Sequence, residues 1–310
     1  MKFKSDNVAF GRHETFSLRY AWLPKGFQAV ISDSGVFESE NATVSLGVGK
    51  NMVTAIRYWL QACQMIEKVD SVWAPTSIGT AVLDPEKGFD PYLEDEATIW
   101  LVHWLLATNC TTATSWYWFF NKFHRPEFTG SELQSALSDF TKESVLNSKR
   151  PKKTTTDKDA LLIPRMYTQS KGNGRTPLEE ALDSPLSSLR LMTQSAGGRS
   201  YQSRPEARPA LPIGILGYAV SVLINEKGAK SVPIEDLMYS RDEYPALGSV
   251  FRLTETDLLT KLEGLVNYIP DIFAINETAG IHQLYKLSDE IDPMIYIAST
   301  YADSDAGIAA

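Results

Sequence analysis

The chain has 310 residues, 43% of them hydrophobic and 22% charged, and a formal net charge of −8. That length supports two domains with cores of their own, and the composition is that of a folded globular chain. The acidity excludes a protein that coats nucleic acid indiscriminately, because any contact with DNA then has to come from local basic patches.

In chain order, the N-terminus lacks the apolar core of a signal peptide, and no apolar run reaches membrane-spanning length. A cytoplasmic location is therefore expected. Residues 10–22 predict a first helix: Phe16, Tyr20 and Leu23 make an apolar stripe, Gly26 a C-cap, and Arg12, His13, Arg19 and Lys25 a basic side. Asp33 in Ser32-Asp-Ser-Gly35 reads as a turn residue. Residues 42–59 predict a helix-turn-helix. A short helix ends at Leu46, Gly47-Val48-Gly49 turns the chain, and a second helix starts near Lys50. Met52, Ile56 and Leu60 recur at four-residue steps and face the core. Lys50, Asn51, Thr54 and Arg57 project away, and these residue types reach phosphates and base edges in a major groove. A phosphate-cradling loop is the weaker reading of Gly47-Val-Gly-Lys-Asn51, since the spacing and the Ser/Thr after lysine are missing. A helical hairpin that binds nothing is the alternative reading of this pattern alone. Residues 71–83 are expected to form a β-wing.

Beyond the wing, residues 92–106 predict a core helix opened by Glu94-Asp-Glu96, acids that complement the helix dipole. Thr129-Gly-Ser-Glu132 reads as a capping box. The two cysteines, Cys63 and Cys110, lie in apolar surroundings without metal-binding spacing, which predicts buried thiols. Residues 148–158 are basic and rich in breakers, and read as a linker between a DNA-binding domain (1–147) and a helical domain (159–310). Residues 178–191 have a helical pattern between two loops rich in Gly, Pro, Ser and Arg. Residues 211–224 and 234–237 predict helices, and Thr254 an N-cap for a helix with Leu258, Leu262 and Leu265 inside. Two strands over 272–276 and 280–287 follow, joined by a tight turn. Helix followed by hairpin is again the winged order. The expected class is mainly α with small β-wings (α+β): an N-terminal winged helix-turn-helix and a helical C-terminal domain ending in a second winged-helix-like unit.

Several blocks together resemble a known family. Phe10-Gly-Arg-His-Glu-Thr-Phe16, Trp22-Leu-Pro-Lys-Gly26, Leu46-Gly-Val-Gly-Lys-Asn-Met-Val53 and Ile56-Arg-Tyr-Trp59 are similar to the SspB-like family. So are Leu182-Asp-Ser-Pro-Leu186, Phe251-Arg-Leu-Thr254 and Glu277-Thr-Ala-Gly-Ile-His-Gln-Leu284, so the likeness spans most of the chain. The resemblance implies a component of a bacterial DNA phosphorothioation (anti-phage) system, which nicks double-stranded DNA so that sulfur can enter the backbone. Its implied partners are a cysteine desulfurase, an ATPase and an ATP pyrophosphatase-type enzyme. The alternative is a non-enzymatic sequence-recognition adaptor or regulator.

Nicking a phosphodiester commonly uses one or two divalent cations, here Mg2+ or Mn2+, held by carboxylates. The sequence carries no compact nuclease motif, so the candidates are scattered. Glu14 beside His13 is one, with a salt bridge to Arg12 or Arg19 as its plainer role. Glu179 and Asp183, one helical turn apart, are another, with a solvated helix face as the favoured reading. His13 is a candidate acid, base or phosphate ligand, whereas His103 and His124 sit among aromatics and read as core residues. Arg199, Arg204 and Arg208 lie in a breaker-rich loop expected to order on DNA, and Lys171 and Arg175 would extend that basic surface.

Overall fold

The computed structural model describes residues 1–169, 184–278 and 280–308. The chain divides into two units: Lys4–Trp118 with Arg125–Arg204, and Met1–Phe3 with Phe119–His124 and Pro205–Ala310. Helices dominate, joined by small antiparallel sheets, so the class is α+β. Among the described residues no helix is long and apolar enough to cross a membrane.

The larger unit opens with α1 (Trp22–Ser32), α2 (Ala42–Leu46) and α3 (Lys50–Ala62). The glycine turn lies where the sequence places it. Gly47 takes φ 61° and ends α2. Its N–H bonds the Val44 carbonyl at 3.2 Å and that of Val48 reaches Thr43 at 3.1 Å, the paired bonds of a Schellman cap. Gly49 then starts α3 with extended backbone. The first helix differs from expectation. It begins at Trp22, because Gly11, Glu14 and Thr15 all take positive φ (70°, 50° and 66°) and break residues 10–20 into turns. Gly26 lies inside α1, where a Cβ would come within 2.6 Å of both Ile56 and Leu60. It is the crossing point of α1 and α3, not a cap.

A hairpin follows, β1 (Ile66–Val69) with β2 (Val72–Pro75), turned by Asp70 and Ser71 at φ 47° and 74°. Two consecutive left-handed residues match the twist of a two-residue hairpin. The hairpin thus starts before the expected 71–83 segment, whose second half is α4 (Ser77–Leu83), capped by Thr76.

Further along this unit, α5 (Glu96–Thr108) is buried from Ala97 to Thr108, and Asp95 caps it by accepting the Ala97 N–H at 2.8 Å. α6 (Thr114–Asn121) and β3 (Glu127–Thr129) lead into α7 (Gly130–Ser144), whose Thr129/Glu132 capping box is formed. The stretch 148–158, expected as a linker, holds the end of a 3-10 turn (Asn147–Lys149) and the start of α8 (Lys153–Tyr167). Its polar N-terminus looks like a loop, but Thr156, Asp159 and Ala160 are buried and draw the segment into a helix. β4 (Thr193–Gln194) and β5 (Ser200–Gln202) order the glycine-rich stretch and pair with β3 in the order β3–β5–β4. Of the helical pattern over 178–191, residues 178–183 lie outside the described residues, and Pro185–Leu189 is a 3-10 turn.

The smaller unit runs α9 (Ile213–Lys227), β6 (Ser231–Pro233), α10 (Ile234–Met238), α11 (Leu247–Phe251), α12 (Glu255–Tyr268), β7 (Phe273–Thr278), β8 (Ile281–Lys286) and α13 (Met294–Ile308). Thr254 caps α12, and Leu258, Leu262 and Leu265 are buried as expected. The sheet order is β6–β8–β7. In both three-stranded sheets the last strand in sequence is central and pairs with the first. Arg252 explains the Phe251-Arg-Leu-Thr254 block. It is buried at φ 53°, and its guanidinium donates to the carbonyls of Phe119, Phe120 and Phe123 at 3.0–3.3 Å. Those carbonyls belong to the end of α6 and the residues after it.

Candidate nucleic-acid interface

Three segments of the larger unit converge on a cleft of about 520 Å³. The 10–15 loop contributes Gly11, Arg12 and Glu14, and α3 contributes Thr54, Arg57, Tyr58 and Gln61. Lys68 and Trp73 come from the hairpin, where they are direct cross-strand partners. Trp73 is buried and forms the aromatic floor. The Lys68 ammonium and the Arg57 guanidinium lie 5.4 and 5.9 Å from its ring centroid, cation–π contacts worth about 0.5–1 kcal/mol each at exposed sites. Glu38 holds the assembly from behind. It accepts the Trp73 indole N–H at 2.9 Å and lies 3.7 Å from Arg57. Tyr58 is buried, and burial, reinforced by the Asp159 carboxylate, pushes its phenol well above the usual range. It stays neutral at the cleft wall.

The loop that carries Arg12 and Glu14 is fixed from inside. His13, between them, is only 1% exposed. Its Nε2 donates to Asp159 Oδ1 at 2.8 Å and its Nδ1 accepts the Thr15 N–H at 3.0 Å. Accepting at Nδ1 requires a lone pair there, which selects the neutral Nε2–H tautomer. Asp159, also 1% exposed, takes further bonds from the Ser115 hydroxyl at 2.6 Å and the Gly11 N–H at 3.2 Å. Trp59 stacks on the imidazole, and Tyr58 and Trp116 meet it edge-on. A carboxylate in such an apolar shell is tolerated because its oxygens are hydrogen-bonded. The network holds Glu14 and Thr15 in left-handed backbone that costs of order 1 kcal/mol per residue. His13, expected as a phosphate contact or catalytic group, is buried with both ring nitrogens in hydrogen bonds.

The remaining sequence candidates separate clearly. Lys50 and Asn51 are exposed on the first turn of α3, with Thr54 and Arg57 half-buried below them on the same side. Lys25 is exposed on α1, and Arg19 stacks over Trp22 at 5.2 Å. Arg199 is exposed beside the β4–β5 turn, and Arg204 pairs with Glu127 at 3.6 Å. Arg208 is buried and sits 3.3 Å from Glu206 in the smaller unit. Glu14 makes no salt bridge to Arg12 or Arg19 among the described residues. His103 is a core residue bonded to the Tyr167 hydroxyl at 2.8 Å, whereas His124 is exposed. Both cysteines are buried, and burial raises the pKa of the Cys63 thiol. Glu179, Asp183, Lys171 and Arg175 lie outside the described residues.

Sequence reasoning missed Lys68, Trp73, Gln61 and Glu38 around the cleft, and Ser115 and Asp159 beneath it. Asp159 lies 146 residues from His13, so no local pattern joins them. The Lys68–Trp73 pairing was readable only with the hairpin correctly placed.

Among the described residues no group of three His, Cys, Asp or Glu side chains is arranged to hold a metal ion. Among the described residues, Glu14 is the one carboxylate lining the cleft. These residues do not form a divalent-cation cage.

Fold and site together define a two-unit α+β protein in which two helices joined by a glycine turn lie beside a basic, aromatic-floored cleft. The chain belongs to the family described as "Protein of unknown function (DUF4007)", which matches residues 10–301. Two solved structures, "SspB crystal structure" and "Magnesium ion-bound SspB crystal structure", are similar to it at 29% identity and a TM-score of 0.82. Each comparison covers 98% of this chain and 89% of the other, in agreement with the SspB-like resemblance of the sequence blocks. None of the curated proteins matches.

Proposed function

We propose that this protein binds double-stranded DNA through α3 and the β1–β2 hairpin, as a component of a DNA phosphorothioation system. The observation that carries the reading is the exposed side of α3. It offers Lys50, Asn51, Thr54 and Arg57 without a single acidic residue on the helix, and the hairpin after it adds Lys68. In this reading α1–α3 and β1–β2 are a winged helix-turn-helix, with α3 in the major groove and the hairpin as wing. The order of α9–α12 and β6–β8 supports a second winged-helix-like unit in the C-terminal part. The phosphorothioation context rests on the resemblance to SspB, and with it come the expected partners: an ATPase, an ATP pyrophosphatase-type enzyme and a cysteine desulfurase.

The test is anisotropy of a short labelled duplex titrated with the full chain over a range of salt. The combined Lys50→Ala, Asn51→Ala and Arg57→Ala change should weaken binding by roughly 10- to 100-fold and reduce the log–log salt slope by about 2. An unchanged affinity and slope would remove the DNA reading.

Strand nicking is a second reading, favoured by the solved magnesium-bound SspB; the alternative is an adaptor that presents DNA to its partners without cutting it. Supercoiled plasmid incubated with the protein and Mg2+ or Mn2+ separates them. Open-circular product above a mock preparation supports nicking, and none supports the adaptor. Glu14, Glu179 and Asp183 are the carboxylates to substitute first.

A further inference from the structure

We propose that the cleft between the 10–15 loop, α3 and the hairpin receives one unpaired nucleotide of a DNA strand. Its phosphate lies against Arg12, Arg57 and Lys68, and its base edge meets Glu14 and Gln61. The inference rests on the reading of α3 as a DNA-facing helix and assigns the cleft beside it a ligand.

Shape is the first argument. A helix that reads a major groove needs a convex face, and contact with backbone phosphates needs no cavity. A concavity of about 520 Å³ is of the size that encloses small organic ligands. Its composition is the second. Three cations suit a phosphate, but Glu14 would repel one. A carboxylate is instead the acceptor that base amino groups require, and an amide such as Gln61 offers both a donor and an acceptor. Glu14 is exposed and takes part in no ion pair among the described residues, so its acceptor oxygens are available.

Preorganisation is the third argument. Glu14 sits at φ 50°, a conformation that a carboxylate residue adopts only when its surroundings impose it. The buried His13–Asp159–Ser115 network imposes it, and so fixes the acceptor and the Arg12 donor on one short loop. Arg57 completes the site. Its guanidinium is braced on Trp73 and Glu38, and a planar cation held in one orientation is a surface on which bases stack.

The experiment compares the affinity of the full chain for three labelled DNAs: a perfect duplex, the same duplex with one unpaired nucleotide, and that duplex with an abasic residue at the unpaired position. The duplex with the unpaired nucleotide should bind about tenfold tighter than the perfect one, and the abasic analogue should lose most of that preference. Glu14→Ala and Gln61→Ala should each reduce the ratio of the two affinities to within about twofold of unity. Equal affinity for the perfect and unpaired duplexes overturns the inference while leaving the DNA reading intact. A preference that both substitutions leave unchanged also overturns it, because the nucleotide then binds elsewhere. Failure to bind any of the three DNAs removes the DNA reading and the inference with it.

Discussion

α3 and α12 occupy matching places, each leading into an antiparallel hairpin, yet their chemistry is opposed. α3 carries Lys50 and Arg57 and no acid. α12 carries Glu255, Asp257 and Glu263, and its one cation, Lys261, is half-buried with its ammonium donating to the Leu211 carbonyl at 3.1 Å. Burial lowers the pKa of that ammonium. The helix starts differ as well. Gly49 leaves the first N–H groups of α3 without a side-chain cap, whereas Thr254 accepts the Asp257 N–H at the start of α12. A helix–hairpin order is thus a scaffold, and the charge on its exposed face decides whether it suits a polyanion. In the overall acidic chain, α3 and the cleft beside it are locally basic.

Substitutions can break this contrast in order of expected effect. The largest is Asp159→Ala, which leaves His13, Ser115 and the Gly11 N–H buried without their acceptor. Each buried donor left unsatisfied costs about 1–3 kcal/mol, read as a lower unfolding midpoint in denaturant. Because Arg12 and Glu14 ride on the same loop, duplex affinity should fall in the protein that remains folded. A denaturation midpoint equal to wild type would show that the network does not hold the loop.

Next is the Lys50/Asn51/Arg57 triple alanine variant, with its loss of duplex affinity and lower salt slope. Its circular dichroism and unfolding curve should match wild type, since Lys50 and Asn51 are exposed and Arg57 half-buried; a large loss of stability would make the binding result structural. Thr254→Ala comes third. It removes a helix cap worth about 1 kcal/mol and should lower stability by that amount without altering DNA affinity. A parallel loss of affinity would mean that α12 belongs to the DNA surface. The smallest effect is expected for Glu263→Gln, on the exposed side of α12: unfolding within about 0.5 kcal/mol of wild type and an unchanged duplex affinity. Tighter binding would show that α12 faces DNA and repels it.

The features legible in the sequence are those written in local chemistry. The Gly47-Val-Gly49 turn, the Thr129/Glu132 capping box, the Thr254 cap and the β7–β8 hairpin each depend on residues within a few positions, and each is present in the fold. The misplaced elements are those decided by distant partners. The 10–20 segment has a helical stripe, but left-handed Glu14 and Thr15 are stabilised by His13, Asp159 and Ser115 from across the unit, which overrides propensity. Residues 148–158 are basic and polar, yet Asp159 draws the helix that follows into the core. Gly26 looks like a helix end because a glycine near a stripe usually is one; here the approach of Ile56 and Leu60 demands it. For the site, the sequence marked Arg12, Glu14, Thr54 and Arg57 but could not see that they share a cleft. Their convergence depends on the hairpin, whose Lys68 and Trp73 become visible only once the strand starts at Ile66.

In the proposed reading, DNA meets the α3 side of the molecule. Ultraviolet crosslinking of the full chain to a bromodeoxyuridine-substituted duplex, with the adducts mapped by peptide mass spectrometry, tests it most directly. Binding on the α3 side predicts adducts on peptides containing residues 11–14, 50–61 and 66–75. Adducts confined to residues 213–308 would contradict it.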